Sequence, residues 1–239
     1  MSPIVFEEIA TLLGRVPLFS ALQPADLRLV AECCEARQAA RGELVFAQGQ
    51  PCEGFFIVIS GQVKLFAVSP AGQEKVIELI GDGDSFAEAM MFLRTPYAVN
   101  AQALTATRLV RIDRVPFLDA VGSNNRLALA MLGGLSRRLH GLIHDVKAYA
   151  LDTGVQRVIG YLLRDVDDAA PVDASTERPL AVSLPVSKAT IASRLSMTPE
   201  YFSRVLHGLE GEGLIEIDRR DVRIVDVERL RRYSREQFR

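Results

Sequence analysis

The chain of 239 residues is poor in the side chains that most often carry catalysis or cross-links: it has 3 histidines and 3 cysteines. Cys33, Cys34 and Cys52 are too few and too badly spaced for a disulfide framework. The adjacent Cys33 and Cys34 read as reduced thiols of a helix, and a cytoplasmic location fits them. Three histidines leave few catalytic choices. There is no Ser-His-Asp arrangement with local motif support, no glycine-rich phosphate loop ending in Lys-Ser/Thr and no H-E-x-x-H, so an enzyme is not expected. No apolar run reaches the roughly 18 residues of a membrane span. The first residues, MSPIVFEEIATLLG, carry acids before any arginine and lack the basic-then-apolar layout of a signal peptide. Nor is there an excess of charge of one sign: 28 Lys and Arg face 30 Asp and Glu, which argues against a surface coated in basic residues.

That balance hides an asymmetry. From Ser187 to Arg239 there are 11 Lys and Arg against 9 Asp and Glu, and in the remainder 17 against 21. A mildly basic end on an acidic body is a weak pointer to nucleic acid. With 49% hydrophobic and 24% charged residues the chain is globular. Its pattern falls into three blocks.

The first block runs from about residue 18 to 115. LQPADLRLVAECCEA has Leu22, Leu27, Val30 and Ala31 at helical spacing, which predicts a short amphipathic helix. The period then changes to two. ELVFAQG, GFFIVISG, QVKLFAVS, KVIELIG and TRLVRIDR are short apolar runs punctuated by Gly42, Gly49, Gly54, Gly61, Gly72, Gly81 and Gly83. That is the mark of an antiparallel sheet with tight turns, rolled up to close its edges. A purely structural roll and a ligand-binding one are both compatible with the pattern.

The second block is a long helix, about Asn124 to Tyr149. Leu132, Leu135, Leu139, Leu142, Val146 and Tyr149 alternate spacings of three and four, a heptad seam over three repeats. Arg137, Arg138, His144 and Lys147 lie off it. Because the roll already has an apolar inner face of its own, the seam predicts pairing with a second copy of the chain, the alternative being an intramolecular core helix. A further helix follows from about Asp152 to Asp165, with Val155, Val158, Ile159, Leu162 and Leu163 apolar. The acidic stretch DVDDAAPVDASTERP then reads as a surface loop.

The third block begins at Leu184. Ser187 can cap a helix from Lys188 to Leu195, Ser196-Met197 makes a short turn, and Thr198 caps a second helix. In that helix Pro199 suits the first position and Glu200 the positively polarised first turn. Val205, Leu206 and Leu209 are its core side. LIEIDRRDVRIVD closes the block as two strands about an Asp218-Arg219-Arg220-Asp221 turn. Helix, turn, helix, hairpin is the order of a winged helix-turn-helix. Glu200, Ser203 and Arg204 stand at i, i+3 and i+4, on one face of the first two turns of the helix that enters a major groove. Arg204 can donate a bidentate pair to guanine, Glu200 can accept from an exocyclic amine, and Ser203 tunes the neighbouring base. Lys188, Thr190, Thr198 and Arg219 or Arg220 are placed for the backbone of the duplex. The plain alternative is a solvated Glu–Arg pair, worth a few tenths of a kcal/mol.

These blocks imply an α+β chain: a β-roll over 1–122, a dimerisation helix over 123–150 and a DNA-binding winged helix over 151–239. A glycine-spaced roll, a leucine-rich helix and a winged helix in that order, with the segment GDGDSFAEAMMF and the E-x-x-S-R of Glu200, Ser203 and Arg204, resemble the Crp/Fnr family of bacterial transcription regulators. The resemblance covers nearly the whole chain and implies a cyclic-nucleotide-binding-like roll, a homodimer on double-stranded DNA and contact with RNA polymerase through loops of the sensor and residues 166–179. E-x-x-S-R in the Fnr branch implies a site like TTGAT, four free base pairs, ATCAA. The segment FAEAMMFLRTPYAVNAQA is similar to the Dnr type within that branch, which implies a response to nitric oxide through haem and control of denitrification genes.

Three signals of the family can be weighed on the residues. Members that bind cyclic AMP carry G-E-L and, about ten residues on, R-S or R-T; here the segment is Ala87-Glu88-Ala89, and the arginine position falls on Tyr97 or Ala98. With only Arg94 nearby in sequence, cyclic AMP is not expected. An iron–sulfur cluster needs four thiolates, and three cysteines exclude it. Haem needs an axial ligand, for which His140, His144 and His207 after the recognition helix are candidates, with Met90 and Met91 behind them. No histidine precedes His140. The turn between the two helices carries Ser196 where the family often has glycine. The rival readings are a regulator that answers a cyclic nucleotide or no ligand, and a cyclic-nucleotide regulatory subunit without DNA activity, which would not need Glu200, Ser203 and Arg204 after a turn.

Overall fold

The computed structural model describes residues 6–167, 180–183, 187–218 and 221–236. It divides into two compact units, Met1–Leu142 and Ile143–Arg239.

The first unit opens with α1 (Phe6–Leu13), a single 3-10 turn (Pro17–Phe19) and α2 (Pro24–Glu32). Eight strands follow: β1 (Cys34–Ala39), β2 (Leu44–Phe46), β3 (Gly54–Ser60), β4 (Val63–Val68), β5 (Glu74–Ile80), β6 (Ser85–Phe86), β7 (Asn100–Ala103) and β8 (Thr107–Asp113), with α3 (Glu88–Leu93) between β6 and β7. They form two antiparallel four-stranded sheets, ordered β1-β8-β3-β6 and β2-β7-β4-β5. α4 (Arg114–Ser123) leads into α5 (Asn125–Leu151), whose first part to Leu142 belongs to this unit.

Aromatic rings fill the roll. Phe55 meets Phe117 edge-on at 5.2 Å between centroids and Phe19 at 6.4 Å, while Phe46 stacks on Tyr97 at 3.7 Å and packs beside Phe56 and Phe86. Two glycines are there for geometric reasons. At Gly61 φ is +106°, a conformation that L side chains rarely adopt, and at Gly54 an added Cβ would sit 2.2 Å from the Ile112 carbonyl oxygen of the neighbouring strand. The start of α5 is tied to α2. Asn124 caps the helix through its Oδ1, which accepts from Arg126 N–H at 3.0 Å and Leu127 N–H at 3.2 Å. Its amide donates to the buried Asp26 at 2.7 Å, and Arg126 reaches the same carboxylate at 3.1 Å.

The expected helix through Cys33 and Cys34 is shorter than its periodicity suggested. Cys33 closes α2 as its C-cap, and Cys34 is already the first residue of β1, paired opposite Ile112. Both thiols are free, and burial pushes the pKa of all three cysteines up.

The second unit holds the end of α5 and then α6 (Gly154–Asp167), β9 (Leu180–Ser183), α7 (Lys188–Arg194), α8 (Pro199–Gly211), β10 (Ile215–Asp218), β11 (Asp221–Ile224) and α9 (Val227–Glu236). The hairpin expected from LIEIDRRDVRIVD is the β10–β11 pair, and β9 adds on the other side of β11 to make three strands. α6 begins at a reciprocal cap. Gln156 Oε1 accepts from Thr153 N–H at 2.7 Å, and Thr153 Oγ1 accepts from Gln156 N–H at 3.3 Å. Gln156 is buried and also donates to the Ser234 carbonyl of α9 at 3.0 Å. Most of the acidic loop, residues 168–179, lies outside the described residues, as do Arg219 and Arg220.

Candidate nucleic-acid interface

α7 and α8 stand where the pattern of caps puts them. Ser187 accepts the N–H of Thr190 and its hydroxyl lies 2.8 Å from that of Thr190, so Thr190 is engaged in the cap of α7. Lys188 is the first residue of that helix and half-exposed. Thr198 accepts the N–H of Tyr201 at 3.2 Å, with Pro199 at the first helical position. Between them Ser196 has φ of +56°. The turn therefore needs the left-handed conformation that a glycine adopts without strain, and serine takes it here at a cost of about 1–2 kcal/mol.

α8 is amphipathic in the sense the site requires. Phe202, Val205, Leu206 and Leu209 are buried at i, i+3, i+4 and i+7, which fixes the rotation of the helix about its axis. Glu200 and Arg204 are then exposed and Ser203 half-exposed. Glu200 and Arg204 make no ion pair with each other. Instead the Arg204 guanidinium carbon lies 5.8 Å from the centroid of the Tyr201 ring. Four residues apart on an exposed helix face, the two charges remain open to an outside partner. His207 lies inside α8 rather than after it, exposed, with Nδ1 3.3 Å from Glu210 Oε2. On the wing, Arg223 pairs with Glu216 at 3.3 Å.

The seam of α5 is largely uncovered within one chain. Leu132 is 61%, Leu139 60%, Leu142 45% and Val146 65% exposed, and Leu129, Ile143 and Leu151 extend the apolar surface. Leu135 is half-buried. His140 is exposed beside Leu139. The side chains of His144 and Tyr149 lie outside the described residues.

Inside the roll, the place where the family's ligand would be held is already engaged. Glu88, at the start of α3, is 2% exposed and accepts from the Ser85 hydroxyl. Arg138 reaches in from α5. Its Nη1 donates to the Ser85 carbonyl at 2.6 Å and lies 3.5 Å from Glu88, and its Nη2 donates to Glu78 of β5 at 2.6 Å. Burial works against the charge of Arg138, but Glu88 and Glu78 outweigh it and lift its pKa above the ordinary arginine value. Tyr97, at the position where a phosphate-pairing arginine is expected, is buried, stacked on Phe46, and donates its hydroxyl to the Gly54 carbonyl at 3.0 Å. Arg94, by contrast, lies exposed at the end of α3 and lines a surface cleft with Arg114, Val115, Leu118 and Asp119. Sequence reasoning did not find Arg138 as a partner of Glu88, because the two stand 50 residues apart and no local motif links them.

Haem needs an imidazole or thioether facing an enclosed apolar slot. His140 is exposed and His207 is exposed and paired with Glu210, so neither builds such a slot within one chain. Met91 is fully buried, and Met90 Sδ accepts from the Thr95 hydroxyl at 3.5 Å. Among the described residues no group of three or more His, Cys, Asp and Glu is placed to hold a metal ion, and no helix is long and apolar enough to cross a membrane.

Comparison with known proteins agrees with this layout. Residues 36–124 match the cyclic nucleotide-binding domain and residues 156–233 the Crp-like helix-turn-helix domain. The chain is 25% identical to the CRP-like cAMP-activated global transcriptional regulator of Mycobacterium tuberculosis, over 94% of this chain and 99% of that one. Among solved structures it is similar to a putative cyclic nucleotide binding protein from Ruegeria pomeroyi, with 28% identity, a TM-score of 0.68 and coverage of 97% and 99%. It is also similar to DNR from Pseudomonas aeruginosa, with 38% identity, a TM-score of 0.51 and coverage of 93% and 96%. A roll, a long helix and a capped helix-turn-helix with its polar tips exposed, matched over nearly the full length at this identity, place the chain in the Crp/Fnr family of transcription regulators.

Proposed function

We propose that the protein is a homodimeric regulator of the Dnr type that reads a TTGAT, four base pairs, ATCAA palindrome and answers nitric oxide or redox state to control denitrification genes. The observation that carries the base-reading part is the open Glu200, Ser203 and Arg204 face of α8, held outward by the buried stripe from Phe202 to Leu209. Arg204 donates its forked pair to a guanine, Glu200 accepts from an exocyclic amine and Ser203 adjusts to the base between them. Lys188 and Thr198 hold phosphates and carry no sequence information. Two such helices reach successive major grooves, about 34 Å apart, once the apolar stripe of Leu132, Leu135, Leu139, Leu142 and Val146 is paired with a second copy. A signal in the roll acts by changing how the two long helices pack, which moves the recognition helices into or out of register. RNA polymerase is then contacted by the bound dimer.

The signal itself is supported by the 38% identity to DNR and by the chemistry around Glu88. Glu78 and Glu88 already share Arg138, and Tyr97 offers no positive charge, so a cyclic phosphate entering there meets two carboxylates whose guanidinium partner is already engaged. Haem would supply the nitric-oxide-binding iron, and His140, beside the exposed Leu139, is a residue of this chain that can face it once a second copy encloses the seam. A response to a cyclic nucleotide is the second reading, favoured by the matched binding domain and by the cAMP-activated relative.

A gel shift of the purified protein against the palindrome and a scrambled duplex tests the first part; equal binding to both refutes it. An absorbance spectrum with stoichiometric haem, with and without nitric oxide, tests the second. A Soret band that moves with nitric oxide is expected, and no band refutes haem. Calorimetric titration with cyclic AMP decides the alternative.

A further inference from the structure

The structure assigns a role to a residue beside the base-reading face: we infer that Tyr201 is the positioning residue for Arg204, and that Gly154 is a glycine to let it do so. The inference rests on the reading of Arg204 as a base contact.

Tyr201 and Arg204 are three residues apart on α8 and therefore neighbours on its surface. The guanidinium carbon lies 5.8 Å from the ring centroid, within reach of the ring's negative face. Glu200, the carboxylate at the right spacing to hold Arg204, makes no ion pair with it, so the ring is the group that the guanidinium meets. An arginine on an exposed helix otherwise samples many rotamers, and a base edge that binds it must first select one. A flat ring under the planar guanidinium removes part of that selection before DNA arrives, and leaves the forked N–H groups at the rim free for guanine O6 and N7.

The ring is itself fixed. It is half-buried, and its backbone N–H is held by the Thr198 cap. On the other side it lies against bare backbone: a Cβ added to Gly154 would stand 2.3 Å from Tyr201 Cε1 and 2.9 Å from its hydroxyl oxygen. Gly154 has no left-handed φ to explain it, so it is there for room. It is the first residue of α6, inside the turn closed by the Thr153–Gln156 reciprocal cap. The floor under the tyrosine is therefore a capped helix start, three residues beyond the end of the long helix at Leu151. Gly154, Tyr201 and Arg204 form one stack from that helix start to the base-reading tip.

The test uses the full-length protein in gel shifts against the palindrome, against the same duplex with the guanine of each TTGAT replaced by adenine, and against a scrambled duplex. Variants Tyr201→Phe, Tyr201→Leu, Gly154→Ala and Arg204→Ala are compared, with circular dichroism melting to confirm that each is folded. Tyr201→Phe keeps the ring and is expected to keep both affinity and discrimination at the guanine. Tyr201→Leu is expected to lose about 3- to 10-fold on the palindrome, nothing on the scrambled duplex, and nothing further when combined with Arg204→Ala. Gly154→Ala is expected to move in the same direction as Tyr201→Leu. Three results overturn the inference: discrimination unchanged in Tyr201→Leu while Arg204→Ala abolishes it, a Tyr201→Phe loss as large as that of Tyr201→Leu (a hydroxyl contact to phosphate), or an equal loss on all three duplexes. Should Arg204→Ala itself leave discrimination intact, the base-reading assignment falls and the positioning role falls with it, by a route distinct from the first three.

Discussion

Replacing Arg138 by methionine keeps most of its apolar stem and removes its charge. The consequence can be worked from its three partners. Glu88 has a side chain only 3% exposed and Glu78 one 20% exposed, and both lose their cation; the Ser85 carbonyl loses its donor. Breaking a buried ion pair from one side costs about 3–5 kcal/mol, because the remaining charge is stranded. Glu78 has some access to water and Glu88 keeps the Ser85 hydroxyl, so the lower end, about 3 kcal/mol, is expected. For a unit of this size that corresponds to a fall of roughly 6–12 °C in melting temperature. Scanning calorimetry measures it. The decisive control is Glu88→Gln, alone and combined with Arg138→Met. If the guanidinium is there to neutralise Glu88, the double variant is more stable than Arg138→Met, with a coupling of at least about 1 kcal/mol. A loss under about 0.5 kcal/mol in Arg138→Met, or strict additivity of the two, refutes the electrostatic reasoning and leaves Arg138 as packing alone.

Arg204→Ala is expected to weaken binding to the palindrome by about 1–3 kcal/mol per half-site and binding to random DNA much less; equal losses on both mean that Arg204 touches only phosphate. Leu139→Glu places a charge in the seam of each chain and is expected to convert dimer to monomer and abolish specific binding, so an unchanged sedimentation profile counts against the paired helices. Asp26 has its pKa lowered by the Asn124 amide first and by Arg126, against the opposing effect of burial. Its folded value is depressed, so its contribution is present above the ordinary carboxylate pKa and is lost as pH falls through the folded value. Asp26→Asn is therefore expected to lower the urea midpoint near neutral pH, with the gap closing at acid pH; a gap that is constant with pH contradicts this assignment.

Much of the fold was legible because its elements carry their own pattern. GFFIVIS is an unbroken apolar run and became β3, buried from Gly54 to Val58. The caps Ser187 and Thr198 marked the starts of α7 and α8 to the residue. Elements without such a pattern escaped. β1, CEARQA, has its residues half-buried or exposed except Ala39, so nothing in its composition marks a strand; only pairing along β8 makes it one. β6 has two residues and β7 four, too short for any period to show. α9, VERLRRYSRE, buries Leu230 and otherwise reads as a charged surface segment.

Spacing along the chain already put an acid, a hydroxyl and a guanidinium at i, i+3 and i+4 behind a cap, with a leucine seam ahead of them. Helical spacing is a local property, and a run of a dozen residues suffices to express it. Where the charges end up depends on packing between distant segments. That Arg138 enters the roll to meet Glu78 and Glu88, that Asp26 anchors the start of the long helix, and that Tyr201 rests on Gly154 beneath Arg204 are contacts across 47 to 100 residues of chain. Close packing brings such groups together, and no periodicity along the sequence records which ones will meet.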